Sequence, residues 1–352
     1  MRLNSSSNQG SADACRDILS KIGGLAKRVL EFDLEYDTFL VGSVWNEKCE
    51  YIKSEFNREA RKIVSKLTGK KIDFENPDVV FVFSPEKGEI DVKINPLFIY
   101  GRYWKFKEMP QTEWHCRSCK GKGCSKCDFK GKLYDESVEG LISNIVLKYT
   151  GGESYFHGCG REDIDVKMLG TGRPFILEIK QPKRRKIDLK SIEREINAVN
   201  KDKIKVSFLG FASRKAIRKM KSAATNKTYR AIVEFEKPIS NLKPLEKIIT
   251  SINQKTPRRV LHRRSDRTRK RKVLYIDAKK ISENRLELTL KTQSGLYIKE
   301  LVSGDSGRTT PSIAEVFENP ARCISLDVIE VEFEDDLMVE DNHGGEIERI
   351  QK

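Results

Sequence analysis

Apolar residues at Ile52, Phe56, Ala60, Ile63, Val64 and Leu67 recur three and four apart and predict one amphipathic helix, after which the period changes. Val79 to Phe83 is an apolar run of strand length. Ser84-Pro85-Glu86-Lys87-Gly88 carries turn residues, and Ile90, Val92 and Ile94 then alternate with Glu89, Asp91 and Lys93 as a half-exposed strand does. Helix followed by hairpin defines a small α+β module ending near Tyr100. Val138, Leu141, Ile142 and Ile145 predict a second amphipathic helix, and Leu189, Ile192, Ile196 and Val199 a third. Beyond Gly170 the pattern is strand-rich, with strands expected at Phe175 to Ile179, Lys203 to Phe208, Tyr229 to Phe235, Val273 to Ile276, Leu286 to Leu290 and Ser325 to Phe333. Their irregular spacing argues against a doubly wound parallel sheet. The expected fold class is therefore α+β, with a mixed, mainly antiparallel sheet flanked by helices. At the ends, Cys15 to Val29 can form a helix whose role is not legible, and Glu332 to Asp341 reads as a solvated acidic tail.

The chain has 352 residues, enough for two or three units with their own cores. Lys and Arg number 67 against 52 Asp and Glu, and the formal charge of +15 points to a polyanionic partner, nucleic acid in the first place. No apolar run approaches the ~20 residues of a spanning helix, and Met1 to Gly10 lacks a signal-peptide core. The expected location is the cytoplasm, with no membrane partner.

Four of the eight cysteines crowd into two Cys-x-x-Cys knuckles, Cys116 with Cys119 and Cys124 with Cys127, joined through Gly121 and Gly123. Each knuckle can offer two thiolates to one ion, and four thiolates leave no open position for water. The expectation is structural Zn²⁺; His115 beside it reads as a surface histidine. Cys15, Cys49, Cys159 and Cys323 are scattered singly, which does not suit a disulfide framework.

Between Arg258 and Lys272 stand nine Lys or Arg and one acid, Asp266, too dense for an ordinary helix face. A phosphate-binding strand and loop is the natural reading, with Arg258, Arg259, Arg263, Arg264 and Arg267 as candidate contacts. Lys180, Lys183, Arg184, Arg185 and Lys186 form a second cluster expected to add to the same field.

The run from His157 to Gly170 contains Gly160-Arg161-Glu162-Asp163, which resembles the Gly-Arg-x-Asp catalytic motif of pseudouridine synthases. It is joined by Gly172-Arg173-Pro174-Phe175, by Gln254 to Arg264, by Lys291 to Glu300 with Ser294-Gly295-Leu296-Tyr297-Ile298-Lys299, and by Gly304 to Pro311. In that order the segments resemble the archaeal and eukaryotic tRNA pseudouridine synthases that act on T-loop positions 54 and 55. Ile94 to Tyr103 resembles the end of that family's THUMP-like module, and the cysteine cluster its archaeal insertion. A further Cys-x-x-Cys pair of archaeal members is represented here only by Cys15.

The resemblance implies a tail at 1–28, a THUMP-like RNA-binding module at 29–103, a zinc segment at 104–136, a pseudouridine synthase catalytic domain at 137–340 and a tail at 341–352. It implies isomerisation of uridine 54, 55 or both in the T-arm of tRNA, with no organic cofactor and no obligate protein partner. Asp163 would be the nucleophile. Asp165, two residues on in an extended segment, could share its face, so geometry leaves the two open and the motif selects Asp163. Arg161 would fill the gap left by a flipped nucleotide or touch a phosphate. Tyr297 would stack on the uracil and assist removal of the C5 proton, and Lys299, on the same strand face, would pair with the catalytic carboxylate.

A non-catalytic tRNA-binding or chaperone protein on the same fold is the rival reading, and the presence of Asp163, Tyr297 and Lys299 speaks against it. A zinc deaminase is excluded by the missing His-x-Glu and Pro-Cys-x-x-Cys elements. A methyltransferase is disfavoured because no glycine-rich strand-to-helix loop is present.

Overall fold

The computed structural model describes residues 20–45, 50–336, 338 and 339, and the chain divides into two compact units. Cys15, Cys49 and the tail at 341–352 lie outside the described residues.

Of the described residues, the first unit takes those up to Leu97 with two later pieces, Val146–Tyr155 and Glu178–Asp188. Its elements are α1 (Ile22–Lys27), β1 (Thr38–Ser43), α2 (Lys53–Thr68), β2 (Lys71–Ile72), β3 (Val79–Ser84) and β4 (Glu89–Ile94). Helix α2 buries Phe56, Ala60 and Val64, one stripe at four-residue spacing, and ends at Gly69 in the left-handed region, φ 69°. The sheet order is β2-β1-β3-β4, with β1 parallel to β3 and β3 antiparallel to β4. Strand β3 alternates buried and half-buried while β4 alternates exposed and half-buried, as the sequence pattern requires. Phe39, Phe56, Phe81 and Phe83 fill the core.

The second basic cluster belongs to this unit, and three of its five cations are paired with acids there. Arg185 lies 2.9 Å from Asp78, Lys186 2.8 Å from Asp37 and Arg184 3.4 Å from Asp33. Glu35 accepts the backbone N–H groups of Arg185 and Lys186. The Arg185–Asp78 pair is largely buried, whereas the Arg184 and Lys186 pairs are exposed.

The second unit comprises residues 98–145, 156–177 and 189 onward. Its strands are β5 (Leu97–Lys105), β6 (Glu153–Gly158), β7 (Lys167–Lys180), β8 (Ile204–Phe211), β9 (Lys227–Phe235), β10 (Ser251–Lys255), β11 (Thr268–Ser282), β12 (Arg285–Thr292), β13 (Thr309–Thr310) and β14 (Ala321–Val331). Its helices are α3 (Val138–Thr150), α4 (Leu189–Val199), α5 (Arg214–Ser222), α6 (Ile298–Ser303) and α7 (Ile313–Val316). The strands order as β13-β10-β11-β12-β9-β14-β7-β5-β8, and β6 pairs β7. Strand β14 is parallel to β7; the β9–β14, β9–β12, β11–β12, β10–β11 and β5–β8 pairs are antiparallel. The sheet is thus mixed and mainly antiparallel.

Strand β8 would be an open edge, and α4 closes it. Asn197 donates to Val206 O at 2.9 Å and accepts from Val206 N at 2.7 Å, while Glu193 accepts from Phe208 N at 2.6 Å. The acidic end is not simply solvated: Asp335 takes Arg102 Nε at 2.9 Å and Tyr100 Oη, and Glu332 pairs with Lys291. Among the described residues no helix is long and apolar enough to cross a membrane.

Candidate active site

Leaving β6, the chain turns at Gly160, φ 73°, and passes without regular structure through Arg161, Glu162 and Asp163 before β7. A Cβ at Gly160 would lie 2.9 Å from Lys227 Nζ and 3.3 Å from Arg173 Nη1, so only glycine lets these two cations close over the turn. Glu162 points inward. Its carboxylate accepts Tyr103 Oη at 2.9 Å, lies 2.8 Å from Arg173 Nε in an ion pair off the hydrogen-bond line, and lies 3.6 Å from Lys105 Nζ. Arg173 also donates to Cys159 O at 2.8 Å. Lys105 donates to the carbonyls of Met109, Asp163 and Ile164 at 2.9, 3.0 and 3.1 Å, and Gln111 joins Tyr103 Oη to Gly160 O. A buried polar lattice therefore clamps the backbone on both sides of Asp163, while the Asp163 side chain, 30% exposed, faces outward.

Asp163 lines a pocket of roughly 330 Å³ together with Lys227, Tyr229, Arg259, Tyr297 and Lys299. Its cation is Arg259, Nη2 to Oδ2 2.9 Å, and Arg259 Nε reaches Glu300 Oε1 at 2.7 Å. Lys299 instead lies 2.5 Å from Asp165 Oδ2. The expected Lys299–Asp163 pair is replaced because Tyr297 and Lys299 do not share a strand: Tyr297 caps α6, and Lys299 sits in its first turn. Burial raises the Asp165 carboxyl, but the Lys299 hydrogen bond and charge, a backbone hydrogen bond and the Arg259 charge together outweigh it, and the net shift is downward. Arg259, read from sequence as a phosphate contact, is thus an ion-pair partner of the candidate nucleophile.

Tyr297 is held by Gln254, which is buried; the Gln254 amide donates to Tyr297 O at 3.0 Å and accepts from Tyr297 N at 2.8 Å. Arg259 lies over the Tyr297 ring at 5.9 Å. A second tyrosine was missed. Tyr229, on β9, reaches the same pocket, and its phenol is pushed up to about 12 by burial, against the nearby Arg173 and with Glu162 and Asp163. Its only sequence signal is position in a strand whose other pocket-facing residue is Lys227.

Arg258, Arg263, Arg264 and Arg267 are exposed, on the segment joining β10 to β11. Arg161 and Arg263 lie over the ring of Trp114 at 5.9 and 5.5 Å. Burial and the Arg263 and Arg264 charges push the Arg161 guanidinium down, against the weaker upward pull of Asp163 and Glu162. Trp114 stands two residues before Cys116 and lines an adjoining cavity of roughly 190 Å³ that shares Arg161, Asp163, Arg259 and Arg263 with the first, so the cysteine segment borders the site.

All four Sγ atoms of Cys116, Cys119, Cys124 and Cys127 lie within 4.8 Å of one another, with Cys116–Cys124 at 3.9 Å and both Cys119–Cys127 and Cys124–Cys127 at 3.8 Å. Gly123 N and Gly131 N donate to Cys119 Sγ and Cys127 Sγ at 3.2 and 3.3 Å. The set could hold a metal ion. His115 is exposed, as expected, and stands outside it.

Residues 98–332 match the family described as Pus10, C-terminal, and residues 25–84 the Pus10 THUMP domain, archaeal. The chain belongs to the Pus10 family. Pus10 relatives named tRNA pseudouridine synthase include one from Methanothermobacter marburgensis, 47% identical, covering 92% of this chain and 86% of that protein. Another, from Methanocaldococcus jannaschii, is 45% identical over 90% of this chain and 74% of its own. A Cbf5-Nop10-Gar1 complex also aligns, at 14% identity and TM-score 0.38 over 66% of this chain and 48% of that one, too remotely to weigh.

Proposed function

We propose that the chain is a tRNA pseudouridine synthase that isomerises uridine 54, uridine 55 or both in the T-loop, with Asp163 as nucleophile. The observation that carries this reading is an outward-facing carboxylate, ion-paired to Arg259, on a backbone clamped by Lys105 and Glu162 inside a pocket ringed by cations. The family membership and the relatives' names support it.

The reaction breaks the C1′–N1 bond, turns the base and rejoins it through C5. It needs a carboxylate nucleophile and a pocket for a uracil drawn out of the stack. Arg259 orients the Asp163 carboxylate. Arg263, Arg264 and Arg267 serve the RNA backbone, Arg161 the place vacated by the flipped nucleotide, and Tyr297 or Tyr229 the face of the base. Zn²⁺ is proposed for the four cysteines: a tetrahedral ion with bonds of about 2.3 Å puts its sulfurs about 3.8 Å apart. The closed thiolate set makes its contribution one of folding.

The test is incubation of an unmodified tRNA transcript with the protein, followed by mapping of pseudouridine. Conversion at position 54 or 55 that disappears in Asp163→Asn while tRNA binding stays within about threefold supports the reading, since the amide keeps the size and loses the nucleophile. An active Asp163→Asn protein would remove it.

A further inference from the structure

Lys227 opens β9, and strand alternation puts it on the same face as Tyr229, so both reach the Asp163 pocket. It is only 7% exposed. Lysines this deeply buried are rare unless their ammonium is paired or snorkels to water. The other buried cations of this site are compensated: Lys105 has three carbonyls, and Arg173 has Glu162 and the Cys159 carbonyl. Among the described residues Lys227 Nζ has no hydrogen-bond or ion-pair partner, and the strongest charge acting on it is of its own sign, Arg173, with Cys159 and Glu162 opposing more weakly. Burial and Arg173 lower its pKa to about 8, so the group is still cationic at neutral pH. An ammonium held largely out of water at a pocket wall, with no acid or carbonyl to meet it, is costly, and a fold that keeps one in its reaction pocket holds it for something that arrives later.

What arrives must be small and planar, and it must gain negative charge. The RNA backbone does not fit, because Lys227 is recessed behind Gly160 while the arginines free to meet phosphates are exposed on the segment joining β10 to β11. Tyr229 cannot balance such a charge, since its phenol stays neutral.

We propose that Lys227 is a catalytic residue that stabilises the uracil anion released when the glycosidic bond breaks. This rests on the function proposed above. As an Asp163 oxygen bonds to C1′, the C1′–N1 electron pair passes to N1 and spreads onto O2 and O4. The base then carries one negative charge, which the Lys227 ammonium meets by a hydrogen bond to a carbonyl oxygen without giving up its proton. After the base turns, C5 attacks C1′, the carboxylate leaves with the ester pair, C5 loses its proton and N1 gains one. Nothing is consumed.

The experiment compares wild type with Lys227→Met under single-turnover conditions on tRNA carrying either uridine or 5-fluorouridine at the modified position, reading loss of the N1-linked nucleoside by mass spectrometry. Fluorine withdraws charge and makes the departing base a better anion, so cleavage leans less on the cation. Lys227→Met is expected to be about 100-fold slow on uridine, the size of a lost preorganised donor, and at least about tenfold less impaired on 5-fluorouridine. Its tRNA Kd should stay within about twofold. Lys227→Gln, which keeps an N–H donor without the charge, should retain part of the rate and decides the matter if the methionine variant fails to bind tRNA. An equal deficit on both substrates, or a rate within about threefold of wild type on uridine, overturns the assignment. Wild type inactive on both substrates would instead strike at the proposed function.

Discussion

Arg259 Nη2 lies 2.9 Å from Asp163 Oδ2, and the same guanidinium holds Glu300 at 2.7 Å, so one side chain ties the candidate nucleophile to the first turn of α6. Lysine cannot span two carboxylates in this forked way. Arg259→Lys should therefore keep the charge yet release Asp163 from its orientation, with a loss of about 100-fold in single-turnover rate. Lys299→Met removes a pair whose members are 25% and 53% exposed, worth at most about 1 kcal/mol, and its loss should be under tenfold. Rates in the reverse order would reinstate Lys299 as the partner of Asp163.

Glu162 occupies the variable position of the Gly-Arg-x-Asp motif, yet its side chain is 1% exposed and lies between Arg173 and Lys105, themselves 1% and 0% exposed. Removing it leaves two buried cations without their carboxylate. Glu162→Ala should cost about 3–5 kcal/mol in urea unfolding, whereas a loss below about 1 kcal/mol would show that water replaces the carboxylate.

Much of the fold was legible because its period was clean. The α2 stripe and the β3–β4 hairpin stand where the alternation places them, and Leu286 to Leu290 lies inside β12. Strand β11 was seen only at Val273 to Ile276 although it runs from Thr268 to Ser282, since most of its residues are exposed and its length is fixed by pairing with β10 and β12. The site was legible in part. Asp163 came from its motif and the cysteines from their spacing, but which cation meets which carboxylate depends on a strand ending at Thr292 and a helix beginning at Ile298, a register no local pattern sets. The buried roles of Glu162, Lys105 and Arg173 carry no local sequence signal, because burial of a charge is decided by partners distant in the chain.

The cysteine segment returns on itself through an isolated His115–Lys132 bridge, and Leu133 N donates to Trp114 O at 2.8 Å. Trp114 and its arginines therefore depend on the knuckles. Metal analysis should find about one zinc per chain, and Cys116→Ser with Cys124→Ser should lower Tm and yield. A fully stable yet inactive variant would mean that the ion takes part in chemistry.

Arg263, Arg264 and Arg267 are exposed, and none of the three has an acid partner among the described residues. If each neutralises one phosphate, replacing all three by Gln should make the slope of log K against log salt shallower by about 2 to 3. The single-turnover rate on saturating tRNA should change little. An unchanged slope would place the RNA on another face.

Lys227 should also be visible without any RNA. Its pKa falls from 10.5 to about 8 on folding, through burial and Arg173 on β7, against weaker opposing effects of Cys159 and Glu162 before that strand. Between these values the unfolded chain binds the proton more tightly, so the ammonium is a burden on the fold that is complete below pH 8 and lifts as pH rises toward 10.5. A shift of this size corresponds to up to about 3 kcal/mol. Lys227→Met should accordingly be more stable than wild type at pH 7, and the advantage should shrink by pH 9.5. Chemical denaturation of both proteins at the two pH values measures this. A gain in stability paired with a loss of isomerisation is what a charge kept for catalysis produces. A methionine variant less stable at pH 7 would show that the ammonium is structural.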